Sequence, residues 1–196
     1  DWHGADDYTA SVRVGWTPED LFLRIDVKDD FFIPAERGPD AKAGGDTITM
    51  TFCHQTAGPY RLHNELPFSL ILYPDPDRET CAVEISASPG AEFSKIGKPV
   101  AKLFRIIGTP NEYSIIVQMP YLGWDDLPRY GGFMQVQMNF QDSDKAGEVS
   151  HRFTLFPQEL PGIPVGKSFG RIHFVDKQWI NCFPEKVLFT GDVLTL

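Results

Sequence analysis

Hydrophobic and polar residues alternate along most of the chain with a period of two, which is typical of half-buried β-strands. In residues 8–16 every second side chain is apolar: Tyr8, Ala10, Val12, Val14 and Trp16. A turn that contains a proline follows at residues 17–20, and residues 21–28 then alternate in the same way. These two runs predict a β-hairpin with the indole of Trp16 on its buried face.

Nine more runs continue this pattern to the end of the sequence. They cover residues 46–53, 68–73, 81–88, 101–107, 113–119, 133–141, 151–156, 171–175 and 187–196. The 17 Gly and 16 Pro residues lie mostly between the runs, and no helical period of 10–15 residues separates them. The pattern predicts an all-β, antiparallel β-sandwich of jelly-roll or immunoglobulin-like type, with one helical turn near residues 121–127.

Length and charge limit the domain count and the partners. The 196 residues correspond to a single domain, and the formal net charge is −9. Such an acidic chain lacks the basic face that nucleic acids and anionic membranes require, so neither is expected as a partner. No apolar run is long enough for a transmembrane helix.

Three cysteines, Cys53, Cys81 and Cys182, are present without a CxxC pair. A thiolate metal site is therefore not expected. Two arrangements are consistent with three cysteines: one disulfide with one free thiol, or three buried thiols.

Acidic residues lie at predicted strand ends. Asp29 and Asp30 close the second run, and Asp46 opens the third after a long loop. Calcium prefers such loop carboxylates, so these three residues form a candidate calcium site. The alternative is that Asp29, Asp30 and Asp46 occur there because aspartate favours turns and strand ends, or that they orient the loop.

Residues 142–147 (DSDKAG) place oxygen ligands at alternate positions before a glycine, as in the first half of an EF-hand loop. The glutamate that completes an EF-hand is missing at its usual spacing. The segment is therefore interpreted as a polar hairpin turn in preference to a calcium loop.

Aromatic residues make up 13% of the chain and suggest a ligand surface. Sugar rings have apolar faces that stack on Trp and Tyr, while polar groups fix their hydroxyls. Trp124 and Trp179 lie in or near loops and are candidate platforms, and Tyr60 and Arg61 are candidate contacts in another loop. Packing under a long loop is an equally good explanation for each tryptophan.

One predicted strand presents a row of side-chain amides on a single face: Gln135, Gln137, Asn139 and Gln141. Amides of this kind suit the recognition of hydroxyl groups, and they suit a solvated sheet face equally well.

No catalytic signature is present: GxSxG, HExxH and GxxxxGK[ST] are all missing. The sequence therefore predicts that the protein is not an enzyme. A hydrolase with an unrecognised acid pair is a minor alternative.

Several segments together resemble the family 9 carbohydrate-binding modules (CBM9), which belong to the DOMON-like β-sandwich superfamily. The opening residues 2–16 (WHGADDYTASVRVGW), residues 21–30 (LFLRIDVKDD) and residues 45–48 (GDTI) follow the family pattern in order. Residues 113–120, 138–147 and 169–172 resemble its later strands and its closing segment. The matches extend over most of the chain.

The resemblance implies a single CBM9-like domain over residues 1–196 that lacks a short N-terminal strand. It also implies a non-catalytic accessory module of an extracellular or periplasmic protein with other domains, a carbohydrate partner and structural calcium. The sugar-stacking Trp of the family falls at Ala43, its hydrogen-bonding acid falls at Thr49, and the second stacking Trp has no counterpart in residues 156–169. Either another aromatic pair serves, or sugar is not bound in that way.

Two other functions remain open. Some DOMON-like relatives hold haem, and Met50, Met134 or Met138 with His54 or His151 would supply an axial pair. A purely structural domain that packs against a catalytic neighbour would instead show an exposed apolar patch.

Overall fold

The structure is a computed structural model. It describes residues 7–17, 19–37, 44–54, 68–87, 98–106, 109, 111–120, 133–145, 147–149, 151–155, 170–173 and 194–195. Within these ranges there is no helix long and apolar enough to span a bilayer.

The described residues form β-strands separated by turns and loops. In chain order these are β1 Tyr8–Trp16, β2 Asp20–Asp29, β3 Thr47–His54, β4 Phe68–Asp75, β5 Thr80–Ala87, β6 Val100–Arg105, β7 Glu112–Pro120, β8 Phe133–Asp142, β9 His151–Thr154, β10 Gly170–His173 and β11 Leu194–Thr195. Each strand overlaps one of the eleven runs that the alternation predicts. The helical turn expected near residues 121–127 lies outside the described residues.

The strands form two antiparallel sheets. The first sheet has the order β11-β1-β2-β7-β6, and the second has the order β10-β8-β3-β4-β5 with β9 paired to β8. Every named strand pair is antiparallel, as the β-sandwich prediction requires.

The predicted hairpin is confirmed in register. Tyr8 pairs with Asp29 at one end and Trp16 pairs with Leu21 at the other. The turn is closed by the Thr17 backbone N–H, which donates to the Asp20 carbonyl at 2.8 Å, and by the Asp20 N–H, which donates to Thr17 Oγ1 at 3.0 Å.

The inner faces of the two sheets form one hydrophobic core. The alternating apolar residues of β1, β2, β3, β4, β7 and β8 are buried there, and Trp16 is half-buried against its edge. Because side chains alternate across a strand, this packing turns the polar residues of the same strands outward. The outer face of the second sheet therefore carries threonines from β3 and amides from β8.

Cys81 is a half-buried free thiol on β5. Burial raises its pKa to about 12, so the thiol stays protonated and unreactive at neutral pH. Cys182 lies outside the described residues, and both thiol arrangements considered above remain consistent with a free Cys81.

Candidate functional site

One end of the sandwich gathers six aspartates and a histidine, here called the acidic cluster. It lies where β1, β3 and β9 begin and where β2 and β8 end. Its members are Asp7, Asp29, Asp30, Asp46, Asp142, Asp144 and His151.

Strand pairing brings these residues together from distant parts of the sequence. The β1–β2 register places Tyr8 opposite Asp29, and the Asp30 N–H donates to the Asp7 carbonyl at 2.9 Å. On the second sheet, Asp142 at the end of β8 pairs with His151 at the start of β9. Because of this antiparallel pairing, carboxylates from both sheets lie at the same edge of the core.

Ligand atoms within the cluster lie close enough to share a cation. Three sets each have their donor atoms within 4.8 Å of one another. The buried set is Asp29, Asp46 and Asp142; a second set is Asp7, Asp30 and Asp144; and a third is Asp7, Asp142 and His151.

This arrangement refines the candidate calcium site predicted from the sequence. Asp29 and Asp46 do meet, but their partner within ligand distance is Asp142. Asp30 belongs to the more exposed set instead, because the side chains of consecutive strand-end residues point in different directions.

Asp46 also holds the loop that precedes β3. Its Oδ2 accepts a hydrogen bond from the Ile33 N–H at 2.6 Å, and its Oδ1 accepts one from the Ser143 N–H at 2.8 Å. The Asp46 N–H donates back to the Ile33 carbonyl at 2.7 Å. Asp46 thus performs the loop-orienting role that was the alternative to metal binding, while each oxygen keeps a second lone pair for a cation.

Gly45 allows this close approach of the loop. Its φ is +90°, and a Cβ there would collide with the backbone of Ala35. A side chain at this position would therefore force the loop away from Asp46.

Buried carboxylate oxygens in the cluster lack hydrogen-bond donors. Asp142 is only 1% exposed, and neither of its carboxylate oxygens has a hydrogen-bond partner within the described ranges. The same holds for Asp29 Oδ2. An unpaired buried carboxylate is costly, and a bound cation is one of the few groups that can compensate two or three of them at once.

The pKa values of these aspartates reflect their burial and their closeness to one another. Burial raises the pKa of Asp142 to about 7 and that of Asp29 to about 6, and neighbouring aspartates add to both shifts. Burial and the charge of Asp29 raise the pKa of Asp46 to about 9. Without a cation, the folded protein therefore holds extra protons here, and ionising the cluster opposes folding as the pH rises.

The donor set fits calcium. It consists of carboxylate oxygens with only one imidazole, and hard cations such as Ca²⁺ prefer oxygen ligands. Asp29, Asp46 and Asp142 would supply the buried ligands, and the bound ion would neutralise charges that otherwise repel one another.

Sequence reasoning had not assigned Asp7, Asp142, Asp144 and His151 to a metal site. The alternate acids of residues 142–147 were a usable signal, but the missing EF-hand glutamate favoured a hairpin turn. The segment is indeed the connection between β8 and β9. It also contributes candidate ligands, because the other carboxylates of each set come from different strands and not from its own loop.

The predicted ligand contacts Trp124, Trp179, Tyr60 and Arg61 all lie outside the described residues. The amide row lies on the outer face of β8. Gln135 and Gln137 are buried, whereas Asn139 and Gln141 are half-buried.

Hydroxyls from neighbouring strands extend this row into a polar patch. On β3, Thr51 pairs with Gln137 and Thr49 pairs with Asn139. From β9, Thr154 Oγ1 donates to Asn139 Oδ1 at 3.0 Å. The resulting patch, here called the amide face, carries closely spaced hydrogen-bond donors and acceptors without a formal charge. Asn139 and Gln141 are its half-buried amides, and Gln141 Nε2 donates to the Gly45 carbonyl at 2.8 Å.

The haem alternative depends on methionine and histidine side chains of which the structure describes only some. Met50 and Met138 are buried in the core. In the β8–β9 pair, His151 lies four residues away from the position opposite Met138. Met134 and His54 are direct partners in the β3–β8 ladder. The side chains of His54 and Met134 lie outside the described part of the structure, so an axial pair that uses either of them stays a prediction.

Comparisons with solved structures agree with this architecture. A CBM9 from Caldicellulosiruptor kristjanssonii in complex with glucose superposes with a TM-score of 0.56 at 13% identity, over 89% of this chain and 83% of that one. The chain has a CBM9-like fold. A CBM9 from the same organism in complex with cellotriose gives a TM-score of 0.55 at 13% identity, over 86% and 78% of the two chains.

A third match is a proposed carbohydrate-binding protein from Bacteroides uniformis, with a TM-score of 0.52 at 12% identity over 84% and 78% of the chains. No protein-family model matches the sequence, and no curated protein matches it. The CBM9-like fold expected from the short sequence motifs is thus confirmed by structure.

Proposed function

We propose that the protein is a non-catalytic carbohydrate-binding module with structural calcium, an accessory domain of an extracellular or periplasmic protein. The observation that carries this proposal is the amide face. Side-chain amides and hydroxyls on adjacent strands can donate and accept hydrogen bonds toward the closely spaced hydroxyls of a sugar.

Two further observations support the same ligand class. Structures with the same fold are CBM9 modules in complex with glucose and with cellotriose. In addition, Thr49, which matches the position of the family's hydrogen-bonding acid, pairs with Asn139 at the centre of the amide face. We expect Trp124 and Trp179 to provide the aromatic platforms, and Tyr60 and Arg61 to contact the ligand.

The test is titration calorimetry with neutral oligosaccharides, beginning with cello-oligosaccharides. We expect Asn139→Ala and Trp179→Ala to weaken binding at least about tenfold, since each removes a direct contact. Ser11→Ala is the matched control, because Ser11 lies on β1 of the other sheet, with its side chain opposite the core. Absence of binding to any glycan, or equal affinity in all variants, would refute the proposal.

The calcium component has its own test. Protein freed of cations with EDTA should bind Ca²⁺ with release of protons, because the pKa values of Asp29 and Asp142 are raised in its absence. Heat measured in buffers of different ionisation enthalpy would count these protons. Calcium binding without any proton release would place the ion outside the buried set.

A further inference from the structure

A small pocket opens at the same end of the sandwich as the acidic cluster and shares Asp29 and Asp30 with it. It has a volume of about 200 Å³ and lies between the start of the loop after β2, the β4–β5 turn and the β6–β7 connection. Residues that line it include Asp30, Phe31, Asp77, Arg105, Asn111 and Tyr113.

An exposed phenyl ring forms one wall of this pocket. Phe31 is 55% exposed, whereas its neighbour Phe32 packs edge-to-face on Tyr113 at a ring-centre distance of 6.2 Å. The Phe31 N–H donates to Asp29 Oδ1 at 2.9 Å, which fixes the backbone at this point. Phe31 therefore lines the pocket while its side chain stays largely exposed and outside the core.

Hydrogen-bond donors and acceptors line the same pocket. Arg105 brings donors, and its Nη1 forms an ion pair with Asp77 Oδ1 at 3.7 Å. Asn111 is anchored through its carbonyl, which accepts from the Asp29 N–H at 2.9 Å, and its side-chain amide can both donate and accept. Asp30 and Asp77 add acceptors.

The combination limits the ligand chemistry. An aromatic surface beside planar donors and acceptors suits a ring with an apolar face and several hydroxyls. The excess of carboxylates over cations disfavours an acidic ligand. The volume accommodates a single ring and not a chain.

We propose that this pocket binds one neutral monosaccharide residue and is a second sugar site, separate from the amide face. Phe31 would stack on the sugar ring, while Arg105, Asn111 and Asp30 would bind its hydroxyls. The ligand class rests on the proposed carbohydrate function, whereas the location rests on the pocket alone.

The two sites can be distinguished by nuclear magnetic resonance of the ¹⁵N-labelled protein titrated with D-glucose. We expect the backbone amide signals of Asp30, Phe31 and Asn111 to shift with a saturable dependence on glucose. Asn139→Ala should leave these shifts unchanged. Glucuronate, as an anionic analogue, should shift them at least about tenfold more weakly.

Phe31→Ala should weaken glucose binding in the pocket about tenfold. Phe104→Ala is the matched control, because Phe104 is a comparably exposed phenylalanine on β6, next to Arg105 in the sequence. Equal melting temperatures of the two variants would show that both remain folded.

Each outcome decides between the two proposals. Chemical-shift changes at Asp30, Phe31 and Asn111 that are lost in Phe31→Ala support sugar binding in the pocket, even if the signals of the amide face do not change. Shifts confined to β3 and β8 overturn the pocket while leaving the proposed function intact. Stronger binding of glucosamine than of glucose would show that the pocket prefers a cationic ligand to a neutral one. Absence of chemical-shift changes with every sugar would overturn both proposals.

Discussion

Asp46 and Ser143, which are 97 positions apart in the sequence, hold each other's segments in place. The Ser143 N–H donates to Asp46 Oδ1 at 2.8 Å, and the Gly45 N–H donates to Ser143 Oγ at 2.9 Å. This clamp joins the loop before β3 to the β8–β9 connection. It therefore positions two of the three buried carboxylates that we propose as calcium ligands.

Replacing the clamp carboxylate should destabilise the protein strongly. Asp46→Ala leaves the N–H groups of Ile33 and Ser143 without an acceptor in a buried environment. We expect a loss of about 2–4 kcal/mol in the free energy of unfolding at neutral pH, measured by urea denaturation.

Ser143→Ala provides the milder comparison, because it removes only the hydroxyl that accepts from Gly45. About 1 kcal/mol should be lost in this variant. A loss in Asp46→Ala no larger than that in Ser143→Ala would contradict the clamp.

Asp142 should respond in opposite directions with and without calcium. In EDTA, Asp142→Asn removes an unpartnered buried carboxylate that its neighbours repel, so the variant should melt at a higher temperature than the wild type. With millimolar calcium the order should reverse, because the variant lacks a charged ligand. Thermal unfolding followed by circular dichroism in both buffers measures this.

Glu19→Gln is the control for that experiment, since Glu19 is an exposed acid in the β1–β2 turn. Its melting temperature should rise with calcium as much as that of the wild type. An equal calcium response in Asp142→Asn would show that the buried set does not hold the ion.

The strands could be predicted from the sequence because burial on one face imposes a period of two. The β1–β2 hairpin is the clearest case, since Leu21, Leu23, Ile25 and Val27 all lie in the core as the alternation requires. Strand ends were less predictable. Residues 101–107 were expected as a strand, but β6 ends at Arg105 because the chain turns back toward Glu112, whose carbonyl accepts from Ile106 at 3.1 Å.

The acidic cluster was only partly predictable, because its geometry depends on how the two sheets pack. Local spacing identified Asp29, Asp30 and Asp46 as strand-end acids, but nothing in it indicates that Asp142 completes the set with Asp46. That contact needs the β3–β8 pairing, which joins strands about 90 residues apart in the sequence. Trp124, Trp179, Tyr60 and Arg61 remain predictions.

Two adjacent isoleucines on β7 test the assignment of the sheet faces. Ile115 is completely buried in the core, whereas Ile116 is 40% exposed on the outer face. Ile115→Ala should cost about 2–5 kcal/mol in unfolding free energy, because it leaves a cavity. Ile116→Ala should change stability by less than about 1 kcal/mol. Similar losses at both positions in chemical denaturation would mean that the faces are wrongly assigned.

Asp26 should make the protein sensitive to acid. It lies on the outer face of β2, where Arg13 forms an ion pair with it, Arg24 Nε lies 2.8 Å from its Oδ1, and the Ser114 hydroxyl donates to the same oxygen at 2.5 Å. Burial alone would raise the pKa of Asp26, but the hydrogen bond from Ser114 and the two arginines together lower it below its ordinary value of 3.8.

A carboxylate whose pKa is lower in the folded than in the unfolded protein stabilises the fold above its unfolded pKa, and this contribution is lost as the pH falls through the folded pKa. Asp26→Asn should therefore destabilise the protein by about 1 kcal/mol at pH 7. The difference from the wild type should shrink as the pH falls below about 4. Urea denaturation of both proteins from pH 7 to pH 3 measures the difference in their unfolding free energies. A difference that stays constant over this range would show that the charge of Asp26 does not contribute to stability.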